Sequence, residues 1–265
     1  MKNILLLAFM SVLLPTAVIG GLIRPVVAQG TIYIRNDGNI DPPTANMASD
    51  DNVTYAFTGN IYAEIVVERD NILVDGAGYV LLGTGSPESR GIFLSGKSNV
   101  TIKNMEVKGF AYGIWFDMSS NNSIFGNNIT NNIGGILISY SSNNSIYGNN
   151  ITNQYYGIAL TDSSNNSIYH NNFVDNPQQV YSYNSTNIWD DGTGKGNYWS
   201  DYEDRYPHAE EMDESGIWNT PYVIDINNQD NYPLVPEFLT WISMLLVLLV
   251  LTVIVAIYKL RLFCY

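Results

Sequence analysis

Cysteine is almost absent: the only one in 265 residues is Cys264, next to the last residue. A disulfide framework is therefore excluded, and any folded domain must hold itself by packing and backbone pairing. Charge is scarce too, at 14% of residues, and it is unbalanced, with 12 basic side chains against 25 acidic ones. Setting aside the terminal Lys2, Arg24, Lys259 and Arg261, residues 29–237 carry eight basic and all 25 acidic side chains, a net charge of 8 − 25 = −17. Such a surface repels a phosphate backbone, so nucleic acid is excluded as a partner.

Long apolar runs are missing from the interior of the chain and occur only at its ends. Lys2, the apolar stretch from Ile4 to Leu14 and the small-residue pattern Val26-Val27-Ala28 predict a secretory signal over residues 1–28, cut after Ala28. A retained anchor is the alternative, because the apolar stretch runs on to Ile23. Residues 238–258 contain no charge, open near Trp241 and close on Tyr258, Lys259 and Arg261. They predict one transmembrane helix, with residues 259–265 as a cytoplasmic tail, in preference to a buried core helix. The expectation is a single-pass protein of the cell membrane whose bulk is extracellular.

What the chain has in excess is repetition. Ser119-Ser-Asn-Asn-Ser-Ile-Phe-Gly-Asn-Asn-Ile129 returns from Ser141 and again from Ser163, with starts 141 − 119 = 22 and 163 − 141 = 22 apart. A fixed period of this size marks a solenoid, in which each repeat buries its apolar face only against its neighbours. Within a unit the slots Asn122-x-Ile124, Asn127-x-Ile129 and Gly135-Ile136-Leu137-Ile138 alternate as half-buried strands do, and Gly126, Gly134 and the Asn pairs supply the corners. A leucine-rich repeat has a similar period but wants Leu in its core slots and a longer outer segment. Ile, Val, Ser, Asn and Gly point instead to an all-β, right-handed parallel β-helix.

Stacking at about 4.8 Å per coil puts equivalent side chains above one another. Ile124/Ile146/Ile168 and Ile136/Ile158 should form inward rows, and Asn122/Asn144/Asn166 and Asn127/Asn149/Asn171 corner ladders whose amides satisfy one another. Ile102, Gly113-Ile-Trp-Phe116 and Gly91-Ile-Phe-Leu94 extend the register upstream, where Val100 and Met105 occupy the Asn slots. The expected organisation is a signal peptide (1–28), an N-terminal cap with the first coils (29–90), the β-helix repeats (91–188), an acidic C-terminal cap (189–237), the membrane helix (238–258) and the tail (259–265). The change at the last cap is compositional: twelve acidic residues lie between Asp190 and Glu237, against three between Lys97 and Val174.

Several stretches together resemble one family, the β-helix repeat proteins grouped with the periplasmic copper-site maturation factor NosD, many of them archaeal surface proteins. They are Ile32-Tyr-Ile-Arg, Asn71-Ile-Leu-Val-Asp-Gly-Ala-Gly-Tyr79, Gly96-Lys-Ser-Asn-Val-Thr-Ile-Lys-Asn104, the Ser-Ser-Asn-Asn-Ser-Ile repeats, Gly196-Asn-Tyr-Trp-Ser-Asp-Tyr202, Thr220-Pro-Tyr-Val-Ile224 and Asp230-Asn-Tyr-Pro-Leu234. The resemblance specifies fold strongly and activity weakly. It implies an acidic, calcium-like loop before the last motifs; here that place reads Met212-Asp-Glu-Ser-Gly-Ile-Trp-Asn219, with Ser215 and Asn219 where acidic residues are expected. No cofactor is required by the sequence, and calcium, which needs six to eight oxygens, is the one candidate. Its candidate ligands are Asp190, Asp191, Asp201, Asp204 and Asp213, provided the cap gathers them.

Function divides three ways. Phe125, Tyr147 and Tyr169 recur at the 22-residue period beside inward Ile, so they form an outward stripe that either binds glycans or cell-wall components or stiffens the sheet by mutual stacking. A polysaccharide-cleaving enzyme would need two carboxylates on one groove, for which the repeat offers Asp117 and Asp162. Solvated turn aspartates are the plainer account, and an enzyme is the less favoured outcome. Copper handling, implied by the resemblance, would use His170 or His208 with Met47, Met105, Met118 and Met212. Eight Asn-x-Ser/Thr sequons, at Asn52, Asn99, Asn121, Asn128, Asn143, Asn150, Asn165 and Asn184, are candidate glycosylation sites, although most ride on the Asn-rich repeat.

Overall fold

Strands of three to six residues turn at Asn and Gly and return one coil higher, because each places alternate side chains inward and ends where a left-handed backbone is needed. The computed structural model describes residues 30–236. Three parallel sheets wrap one core, with eight, seven and six strands, forming a β-solenoid of the right-handed type. Register in the repeats is uniform: Ile114 pairs with Ile136 and Ile136 with Ile158 in the eight-stranded sheet, and Ile124 with Ile146 and Ile146 with Ile168 in the seven-stranded one. These Ile rows are 0–1% exposed.

The eight-stranded sheet already includes Thr31–Ile34, paired in parallel with Glu64–Val67, so the stack begins there. Short antiparallel pieces, Ile40–Asp41 and Met47–Ala48, cover the first edges of two sheets, which protects them from pairing with another chain. No helix of the described residues is long and apolar enough to cross a membrane. The expected signal peptide (1–28), membrane helix (238–258) and tail (259–265) lie outside the described residues.

The corner ladders form as the repeat implies. Asn144 Oδ1 accepts from the Asn122 N–H (2.9 Å) and the Asn122 amide (3.1 Å), while the Asn144 amide donates to Asn166 Oδ1 (3.0 Å) and to the Ser119 carbonyl (3.1 Å). Asn127, Asn149 and Asn171 repeat the pattern at the next corner. Two further ladders accompany them. Asn132 N–H donates to Gln154 Oε1 and Gln154 N–H to Asn176 Oδ1, and each of Ser119 and Ser141 donates its N–H to the next coil's serine hydroxyl. Every corner therefore carries a polar row that satisfies buried backbone groups along the axis.

Glycine has a distinct task in this stack. At Gly91, Gly113 and Gly135 a Cβ would lie 2.3, 2.7 and 2.5 Å from the carbonyl oxygen of the glycine one coil above. These three positions let the eight-stranded sheet close tightly against the next corner.

Past Pro177 the last full strand is Gln178–Tyr183, after which the chain folds back over the end of the solenoid. Tyr198–Trp199 extends the six-stranded sheet, the single-turn helix Tyr202–Arg205 follows, and Tyr222–Asp225 pairs with Asn228–Asp230. Asn228 accepts from the Asn187 N–H (2.9 Å) and Asp230 from the Asn197 N–H (2.7 Å), so the hairpin terminates both Asn ladders. Phe173, Trp199 and Tyr222 stack face to face, at 4.4 and 4.1 Å, as the apolar plug beneath it.

Candidate functional site

The outward stripe at the 22-residue period is assembled: Phe125, Tyr147 and Tyr169 lie on consecutive coils, with centroids 5.0 and 5.3 Å apart and planes within 11° and 5°. Rings this nearly parallel cover each other's faces and turn their edges to solvent. A sugar ring that stacks would find those faces taken.

A second aromatic surface lies on the outer face of the eight-stranded sheet. Pairing aligns Tyr33, Val66, Phe93, Trp115, Leu137, Ala159 and Tyr181 in one row. Tyr112 and Tyr156 belong to the row beside it, two coils apart around Gly134. Here the rings meet at steep angles: 62° for Phe93–Trp115, 57° for Tyr112–Trp115 and 62° for Tyr156–Tyr181. The Arg90 guanidinium lies 4.2 Å over the Phe93 ring and 5.7 Å from the Trp115 ring centre, so it covers part of this row. The row on the other flank is polar, running Ser95, Asp117, Ser139, Thr161 and Tyr183. This face was legible in the repeat, since Gly-Ile-x places x outward at Phe93, Trp115, Leu137 and Ala159, but x changes type from coil to coil whereas the Phe/Tyr slot stays aromatic.

The same register separates the two repeat aspartates. Asp117 pairs with Ser139 and through it with Thr161, so Asp162 falls in the neighbouring corner row, at a left-handed position. They do not share a strand row across which a pair of carboxylates could act.

The acidic cap disperses the five aspartates considered for calcium. Asp190 accepts from the Gly192 N–H, and Asp201 accepts from the Tyr222 hydroxyl and the Gln179 amide. Asp204 lies exposed on the short helix, and Asp213 occupies an exposed left-handed turn. Asp191 receives the Thr193 hydroxyl and the N–H groups of Thr193 and Lys195, and lies 3.0 Å from His170 Nε2. Desolvation would raise its pKa, but those bonds and His170 outweigh it and hold the carboxyl at about 2. Among the described residues no three His, Cys, Asp or Glu side chains are grouped so as to hold a metal ion. All eight sequon asparagines are exposed, Asn128 and Asn150 on a strand face and the others at left-handed corners.

One carboxylate that composition did not single out is the most buried. Asp230 is 0% exposed and accepts from the Asn197 N–H, the Trp199 indole N–H (2.9 Å) and the Tyr232 N–H (3.0 Å). Burial pushes its pKa up to about 6, against the pull of those donors. Because the folded value lies above the ordinary 3.8, folding favours the neutral acid: its contribution is complete below about pH 4 and is lost as pH rises through 6. Between pH 4 and pH 7 that loss amounts to roughly 3 kcal/mol at most. The Asp230 carboxyl carbon should titrate in NMR with a midpoint near 6, and a midpoint below 4.5 would contradict it.

A family model described as periplasmic copper-binding protein (NosD) matches residues 27–204. This chain belongs to the NosD family. No individually curated protein matches it. Membership of NosD, together with the parallel β-solenoid, makes this an extracellular β-helix protein, its bulk outside the cytoplasm. Copper is a different matter, because it wants soft donors converging on one point. Met47 and Met105 are buried in the apolar core, Met118 and Met212 are exposed, and His170 is engaged by Asp191.

Proposed function

We propose that this chain is a membrane-tethered scaffold of the cell surface whose eight-stranded sheet holds neutral glycans. One observation carries the glycan assignment: the outward aromatic row Phe93, Trp115 and Tyr181 lies between tyrosines on one side and the hydroxyl and carboxylate row Asp117, Ser139 and Thr161 on the other. A pyranose has an apolar C–H face and a rim of hydroxyls, so it needs that combination of ring face and flanking acceptors. The tether rests on the uncharged run of residues 238–258 and the cations that follow it.

Glycan arrays followed by calorimetry on the purified chain are the test. Trp115→Ala is expected to weaken binding of a neutral oligosaccharide about tenfold, which corresponds to about 1.4 kcal/mol. Tyr147→Ala should leave it unchanged. Binding that depends on Tyr147 and ignores Trp115 would move the site to the stacked stripe, and no binding at all would reduce the protein to a structural element.

A further inference from the structure

We propose that the cleft at the C-terminal end of the solenoid binds a single carboxylate-bearing sugar. The cleft, about 640 Å³, opens where Asn172 and Val174 of the six-stranded sheet meet Tyr198, the turn at Ser215 and Leu234. Its volume is in the range that encloses small ligands. His170 and Lys195 line it, and no Asp or Glu does, although the surrounding cap is the most acidic part of the chain.

Lys195 is the decisive residue. Among the described residues every other lysine and arginine side chain has a partner. Arg35, Arg90, Lys103, Lys108 and Arg205 face carboxylates, Lys97 donates to the Glu68 carbonyl, and Arg69 donates to the Asn36 carbonyl. The Lys195 ammonium has none, and it lines the cleft. Asp191 is committed to His170 and Thr193, and Glu211 to the Gly216 N–H (2.8 Å); Glu203 and Asp175 act on the cleft-lining Tyr198 but do not line the cleft themselves. The exposed Lys195 ammonium at the wall of the cleft offers one carboxylate a charge-assisted bond. Asn172 and Ser215 add neutral hydrogen-bonding groups, and Tyr198, Val174 and Leu234 add apolar surface for a ring. A polyanion is the wrong occupant, since beyond this cation it would meet a domain of net charge 8 − 25 = −17 over residues 29–237.

The site is separate from the sheet platform, and its test separates the two. Calorimetry with the full chain in detergent should show glucuronate binding at least tenfold more tightly than glucose. Lys195→Met should bring glucuronate down to the level of glucose, and Lys195→Arg should keep most of the preference. Equal affinity for the two sugars overturns the proposal. So does glucuronate binding that survives Lys195→Met in a variant whose unfolding midpoint is unchanged. Inorganic phosphate competing as well as glucuronate would also overturn it, because the cleft would then read charge without a sugar.

Discussion

Asn149→Ala is expected to lower the unfolding free energy by roughly 3–5 kcal/mol in a chemical denaturation measured at neutral pH, out of proportion to the few atoms removed. The side chain is 1% exposed and sits mid-ladder. Its Oδ1 accepts from the Asn127 N–H and the Asn127 amide, and its own amide donates to the Ile124 and Tyr147 carbonyls and to Asn171 Oδ1. Truncation strands two buried donors at about 1–3 kcal/mol each and leaves acceptors short as well. The neighbouring Asn150 is the control. It is exposed, bonds only Asn128 Oδ1 through its side chain, and its alanine variant should stay within about 0.5 kcal/mol of the parent. A small effect at Asn149 would mean that the ladder is decorative and that Ile packing alone holds the coils.

That contrast between adjacent asparagines also marks how far the sequence could be read. The 22-residue period, the inward Ile rows and the ladders of Asn122 and Asn127 were legible because every coil repeats the same slot, so register leaves one arrangement that buries them. The third amide row was not, because it changes residue type from Asn132 to Gln154 to Asn176 while keeping the same bonding task. The continuation of the ladders into Asn187, Asn197, Asn228 and Asp230 was hidden for a different reason. Those residues reach their columns at spacings of 21, 26, 41 and 33, set by loops and not by the repeat. Function was less legible still. Which outward slots stack in parallel and which meet at an angle depends on the tilt between rings, and the dispersal of the cap aspartates depends on turns that no period governs.

Trp199→Ala is expected to cost roughly 3–5 kcal/mol, the range for emptying a buried indole, and to do so by releasing the cap before the coils. Trp199 is 1% exposed, lies between Phe173 of the last repeat and Tyr222 of the terminal hairpin, and donates its indole N–H to Asp230. It therefore joins solenoid, cap and ladder terminus at one point. In a linear stack each coil is stabilised by its neighbours, so an uncapped end frays inward without collapsing the far end. Hydrogen exchange should accordingly rise first in Asn172–Val174 and Gln178–Tyr183, while Glu64–Val67 keeps its protection. Trp199→Phe, which retains a ring for the stack but removes the indole N–H, should cost only about 1–2 kcal/mol. Uniform loss of protection along the whole chain would show that the solenoid unfolds as one cooperative block and that the cap is no separate unit. A Trp199→Ala variant with parental stability would show that the stacked plug does not hold the hairpin in place.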